Sequence, residues 1–125
     1  MKKYLKSGNP TEDLIQSTFF KWVFLQERIY PELKLFHHIA NGGTRHIIEA
    51  KKFKAMGVRR GIPDTFLPVP KGQYHGLYIE FKSMDGEISE DQKKIITTLI
   101  YFGYRVEICR SPMEAINVTK LYLGI

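Results

Sequence analysis

The run Leu77-Tyr78-Ile79-Glu80-Phe81-Lys82 alternates with the two-residue period of a β-strand, so Glu80 and Lys82 share one face. Positions two apart on a strand lie roughly 6.6 Å apart, and a carboxylate and an ammonium at that separation can address one reacting centre from two sides. Upstream, Pro63-Asp64 enters a second extended stretch, with fifteen residues between Asp64 and Glu80. If the two strands are neighbours, Asp64 and Glu80 meet at one end of a sheet. Two carboxylates sharing a site repel, and a hard divalent cation with oxygen ligands, Mg²⁺ or Mn²⁺, relieves that repulsion. Such an ion lowers the pKa of bound water and stabilises charge building on a phosphate. Lys82 beside it could position the attacking water or steady the transition state. Those are the parts that phosphodiester hydrolysis needs. Taken singly, each motif also has an ordinary reading. Glu-x-Lys on a strand is commonly a solvated face or a local ion pair, and Pro-Asp is a common turn element.

The elements that must bring these side chains together can be read along the chain. At 125 residues one domain is expected, spanning residues 1–125. A first helix is expected over residues 9–30, with Asn9 as its cap, Pro10 at its first position and Glu12 where a capping-box carboxylate would sit. Ile15, Phe19, Trp22 and Val23 recur there at helical spacing, and Glu12 lies on the same stripe. Pro31 ends it. A short strand over residues 34–39 leads to the turn Asn41-Gly42-Gly43, and a second helix over residues 46–56 closes at Gly57. Strands follow over residues 62–68 and 74–82, joined across Pro70-Lys71-Gly72. Ser89 begins a third helix, and Gln92 completes a Ser-x-x-Gln capping box. Its apolar positions Ile95, Ile96, Leu99 and Phe102 are expected to face inward, and Gly103 stops it. A fourth strand over residues 104–109 and a final helix over residues 112–123 complete the order. The expected class is α/β, a mixed sheet of about four strands flanked by helices.

Composition narrows the function classes. Hydrophobic residues make up 43% of the chain and charged residues 26%, which excludes a disordered or collagen-like chain. A single cysteine, Cys109, excludes an internal disulfide and a multi-cysteine zinc site, and points to a reducing, intracellular home. No apolar run approaches the roughly 18–20 residues of a membrane span, and the basic N-terminus has no apolar core behind it, so neither a membrane partner nor a signal peptide is expected. The net charge of +6 suggests a polyanionic partner. The densest basic stretch is Lys51, Lys52, Lys54, Arg59 and Arg60, placed just before Asp64. Either it is an ordinary solvated surface or it contacts phosphates, with Arg45 adding to it. No base-reading motif is visible, so DNA shape and backbone would be recognised more than sequence. His37 and His38 read as a partly buried strand feature, with His38 and Asn41 expected near the DNA.

Pro63-Asp64 followed at this spacing by Glu80-Phe81-Lys82 resembles the PD-(D/E)xK nuclease superfamily. Asn41-Gly42-Gly43, Gly61-Ile62-Pro63-Asp64, Gly76 to Lys82, Ser89 with Gln92, and Gly103-Tyr104 together resemble its VRR-NUC (virus-type replication-repair nuclease) family, over about Glu12 to Leu123. The resemblance implies a restriction-endonuclease-like core and Mg²⁺-dependent DNA cleavage, with Mn²⁺ able to substitute. It makes Asp64 and Glu80 metal ligands, the Phe81 carbonyl a further ligand, and Lys82 the catalytic lysine. It assigns Glu12 to holding metal directly or through water, and lays Gln92 over the site. Stand-alone members of the family resemble junction-resolving enzymes, which implies a homodimer acting on branched DNA such as four-way (Holliday) junctions, in a DNA-repair type of role. A cytoplasmic location is expected, that of the host for a virus-encoded chain. The competing expectations are a non-catalytic DNA-binding module and a nuclease of flap or linear DNA.

Overall fold

The computed structural model describes residues 10–40 and 47–125, and of residues 47–49 the backbone alone. The described order is helix α1 (Glu12–Gln26), a 3₁₀ turn (Pro31–Leu35), strand β1 (His37–His38), helix α2 (Ile47–Ala55), strands β2 (Thr65–Leu67) and β3 (Leu77–Phe81), helix α3 (Glu90–Tyr101), strand β4 (Arg105–Cys109) and helix α4 (Pro112–Leu123). The four strands form one mixed sheet in the order β1-β2-β3-β4. β2 runs antiparallel to both β1 and β3, whereas β3 and β4 are parallel. A parallel pair needs a crossover, and α3 supplies it. This is the mixed, helix-flanked α/β sheet that the sequence predicts. Among the described residues no helix is long and apolar enough to cross a membrane.

The strand period sorts the two faces. Leu77, Ile79 and Phe81 are each fully buried on one face of β3. They meet Ile15, Phe19 and Val23 of α1 and Ala115 and Leu123 of α4 in a single apolar core. Phe19 is its centre, with ring centroids at 5.4 Å from Phe20 and Phe36 and 5.6 Å from Phe81. The alternate residues Tyr78 and Glu80 point to the other face, where Gln92 of α3 reaches Glu80. The sheet therefore lies between α1 with α4 and α3.

Several local expectations shift. Asn9 lies outside the described residues, and the cap of α1 is Thr11, whose hydroxyl accepts from the Leu14 N–H at 3.2 Å. A helix begins where a side-chain oxygen satisfies an orphan amide, and Thr11 does so two residues further along. Glu12 is consequently the first helical residue and not a capping-box carboxylate. Pro31 does not simply stop the first helix. It opens the 3₁₀ turn, where its fixed φ suits a first position; the turn takes Lys34 and Leu35 from the expected 34–39 strand, which is reduced to His37–His38. His37 and His38 are exposed, not partly buried. In α3 no residue is fully buried: Ile95, Ile96 and Leu99 are half-buried, and Phe102 is 62% exposed. Phe102 is the helix C-cap, and Gly103 at φ +92° turns the chain into β4 beyond it. Asn41-Gly42-Gly43 lies outside the described residues.

Phe19→Ala should lower the unfolding free energy by about 3–5 kcal/mol, because it empties the middle of the core. Phe24→Ala, at a ring 62% exposed on the same helix, should change it by less than about 0.5 kcal/mol. Urea denaturation of the two variants checks both values.

Candidate active site

The register of β2 with β3 places Thr65 opposite Ile79, so one step further Asp64 faces Glu80 and Pro63 faces Phe81. The ladder stops there, since Pro63 has no N–H to give. Side chains complete it. The Asp64 N–H donates to Glu80 Oε1 at 3.2 Å, and the Phe81 N–H donates to Asp64 Oδ2 at 2.9 Å. Each carboxylate is thus held by a backbone amide belonging to the other strand. Thr65, fully buried, donates its hydroxyl to the Ile79 carbonyl at 2.8 Å and locks the register below the pair.

Lys82 follows two positions after Glu80, on the same face. Its Nζ lies 3.8 Å from Glu80 Oε2, and its side chain is only 12% exposed. Gln92 approaches from above. Its Oε1 accepts from the Ser89 N–H at 2.9 Å in a complete capping box, while its Nε2 donates to Glu80 Oε2 at 2.9 Å. The capping bond fixes the amide so that its NH₂ can only face the carboxylate. The capping box and the reach toward the site, both expected of Gln92, are one arrangement. Glu12, at the start of α1, accepts at 3.5 Å from the Ser83 N–H just beyond Lys82.

Gly61 shows why the approach to Asp64 needs glycine. Its φ is +87°, and a Cβ there would lie 2.5 Å from the Asp91 carbonyl oxygen, so the loop entering β2 rests directly on the first turn of α3. Arg59 and Arg60 stand exposed just before that contact. Lys51 and Lys52 are exposed on α2, and Arg45 lies outside the described residues. Among the described residues no ion pair or hydrogen bond ties Lys51, Lys52, Arg59 or Arg60 to the carboxylates.

Two features carry no signal in the sequence. Arg110, just after β4, donates from Nη1 to the carbonyls of Ser83 and Gly86, each at 2.7 Å, and so pins the loop after Lys82. Gln16 on α1 bonds His38 on β1, with Nε2 and Nδ1 3.0 Å apart. Both join residues far apart in the chain, and no local pattern announces either.

The electrostatics follow from packing acids together out of water. Burial raises the pKa of Glu80 to about 7, reinforced by the negative charge of Asp64; Lys82 and the Asp64 N–H pull the other way. Asp64 is also raised, first by burial, against the Phe81 N–H, with Glu12 adding to the rise and His38 and Lys82 opposing it. A cation would relieve this strain. The donor set is all oxygen, the choice of hard cations such as Mg²⁺, which use one or two carboxylates and keep several waters. The Phe81 carbonyl leaves the strand on the same edge as its N–H, toward Asp64. Among the described residues no three His, Cys, Asp or Glu side chains form a ready cage. The residues present fit a divalent ion held by the two carboxylates and the Phe81 carbonyl, with the Glu12 charge acting on both acids.

Residues 5–113 match the family described as the VRR-NUC domain. A solved structure described as a VRR_NUC domain protein is 30% identical and similar over 93% of this chain and 90% of its own, with a TM-score of 0.77. No curated protein matches the chain.

The raised acids give a signed pH dependence. Folded Glu80 keeps its proton up to about pH 7, whereas an unfolded glutamate loses it near 4.5. Between those values the folded state binds more protons, so metal-free stability should fall as pH rises through that window. Melting temperatures from pH 4.5 to 8 should show this fall, and Glu80→Gln should flatten it.

Proposed function

This chain belongs to the VRR-NUC family, and from that premise we propose that it is a Mg²⁺-dependent DNA endonuclease that hydrolyses phosphodiester bonds in branched DNA, such as four-way junctions. The observation that carries the reading is the convergence of Asp64, Glu80 and Lys82 at the open end of β2 and β3, each held by a named partner. Asp64, Glu80 and the Phe81 carbonyl would hold the ion, with Mn²⁺ able to replace Mg²⁺ and Glu12 acting through water. When bound, such an ion supplies a more acidic water and offsets charge on the phosphate.

The chain's own groups do the rest. Lys82, nearly buried beside Glu80, is placed to hold the attacking water or a phosphate oxygen. Gln92 keeps Glu80 aimed at the site through its hydrogen bond. Arg110 holds the loop beyond Lys82, which keeps the Ser83 N–H on Glu12. Arg45, Lys51, Lys52, Arg59 and Arg60 would contact phosphates, consistent with a net charge of +6. One active site cuts one strand, so a symmetric cut across a junction calls for a homodimer. The exposed Leu25 in the last turn of α1 and Ile29 in the turn beyond it supply apolar surface for it.

Incubation of junction, flap and linear duplex DNA with Mg²⁺ should give cleavage, strongest on the junction, that EDTA abolishes. Glu80→Ala and Lys82→Ala should each reduce cutting at least about 100-fold while DNA binding persists. Binding with no cutting of any substrate by the unaltered protein would make this a DNA-binding module instead. A readout independent of activity is thermal. Mn²⁺ should raise the melting temperature more at pH 8 than at pH 5, because bound metal must displace the raised proton, and Glu80→Gln should remove that rise.

A further inference from the structure

We propose that the cleft between α1 and β1 receives an unpaired nucleobase from the strand being cut, next to the scissile phosphate. The inference rests on the nuclease reading and names the substrate feature that the site would select. The cleft has a volume of about 600 Å³, within the roughly 300–1,000 Å³ usual for small-ligand sites. Glu12 and Asp64 form one end of it, so it opens directly onto the candidate active site. Away from them it changes character, from Gln16, Ser17 and His38 to the rings of Phe20, Phe24 and Phe36.

Charge decides what such a cleft can take. Among the described residues its lining includes three carboxylates, of Glu12, Asp13 and Asp64, two histidines, His37 and His38, and neither lysine nor arginine. Beyond the acids proposed to hold the ion, a phosphate would meet the Asp13 carboxylate and no described lysine or arginine. A base carries no charge, offers N–H donors to carboxylate and amide oxygens, and has a face that stacks on an aromatic ring. Arg59 and Arg60 lie elsewhere: they lead into Gly61, which rests on the first turn of α3, across the sheet from α1. A strand crossing Asp64 and Glu80 would thus place its backbone on the α3 side and a splayed base on the α1 side.

The rings suit this division. Phe20 and Phe36 are buried and pack edge-to-face at 5.6 Å, making a fixed floor. Phe24 leans on Phe20 at 5.7 Å and is 62% exposed, so no interior packing requires a ring there. Gln16 is bonded to His38, which joins the two walls of the cleft near Asp64. A continuous duplex keeps its bases stacked inside, whereas a branch point or flap offers one that can leave the stack.

The test uses a branched oligonucleotide carrying unpaired 2-aminopurine beside the cut position, with the full-length protein in EDTA so that nothing is cut. Binding should quench the fluorescence. Phe24→Ala should abolish the quench and weaken binding on the order of tenfold, and Phe24→Trp should keep both. Ser17→Trp, at the exposed rim, should block the cleft and reproduce the loss with every ring of the floor intact. A quench and affinity unchanged in Phe24→Ala and Ser17→Trp would overturn the inference. Conversion of a dimer to a monomer by Phe24→Ala, with fluorescence unaltered, would assign the cleft to a second copy of the chain and overturn it as well. A ring-dependent quench in a protein that cuts no DNA would sink the nuclease reading alone, because the fluorescence needs no cleavage.

Discussion

Two backbone amides, those of Asp64 and Phe81, hold two carboxylates face to face where β2 and β3 part. Everything else near the site serves or exploits that constraint. The two acids repel and are largely cut off from water, which is unfavourable for both unless a proton or a cation intervenes. The amides offset part of this cost, since an N–H directed at a carboxylate favours its charged form. The backbone ladder has already lost a donor at this point, because Pro63 has no N–H to give to the Phe81 carbonyl opposite it.

The core fixes the strand that carries the site. Phe81 is buried against Phe19, so its neighbours Glu80 and Lys82 must point to the opposite face. A slip of one residue would put an acid and a lysine into the apolar centre, which burial energy forbids. The α3 side is packed more lightly, with no fully buried side chain on that helix. What holds its first turn in place is specific and polar: the Ser89–Gln92 capping box, the reach of Gln92 to Glu80, and the backbone contact at Gly61. A helix fastened mainly at its N-terminal end can position one amide well without a large interface.

The parts of this arrangement that were readable from sequence are the local ones. The alternation around Glu80, the capping box at Ser89 and the Pro-N1 helix from Pro112 each reflect spacing within a few residues, and each stands where expected. The start of the first helix was less readable, because Asn9 and Thr11 are both good caps and composition cannot choose between them. The 3₁₀ turn was hidden for a related reason: a proline that ends one helix is equally suited to begin the next turn. The family resemblance carried Asp64, Glu80 and Lys82 to their places together. The bonds of Arg110 to the Ser83 loop and of Gln16 to His38 depend on tertiary approach alone, and nothing in the chain's periodicity foretells them.

We propose that Asp64 and Glu80 are held as they are to share a divalent ion. Anomalous diffraction from crystals soaked in Mn²⁺ addresses it most directly. Manganese density is expected in contact with both carboxylates. Density confined to other acids such as Glu107 or Glu114, with the Asp64–Glu80 pair bare, would contradict it.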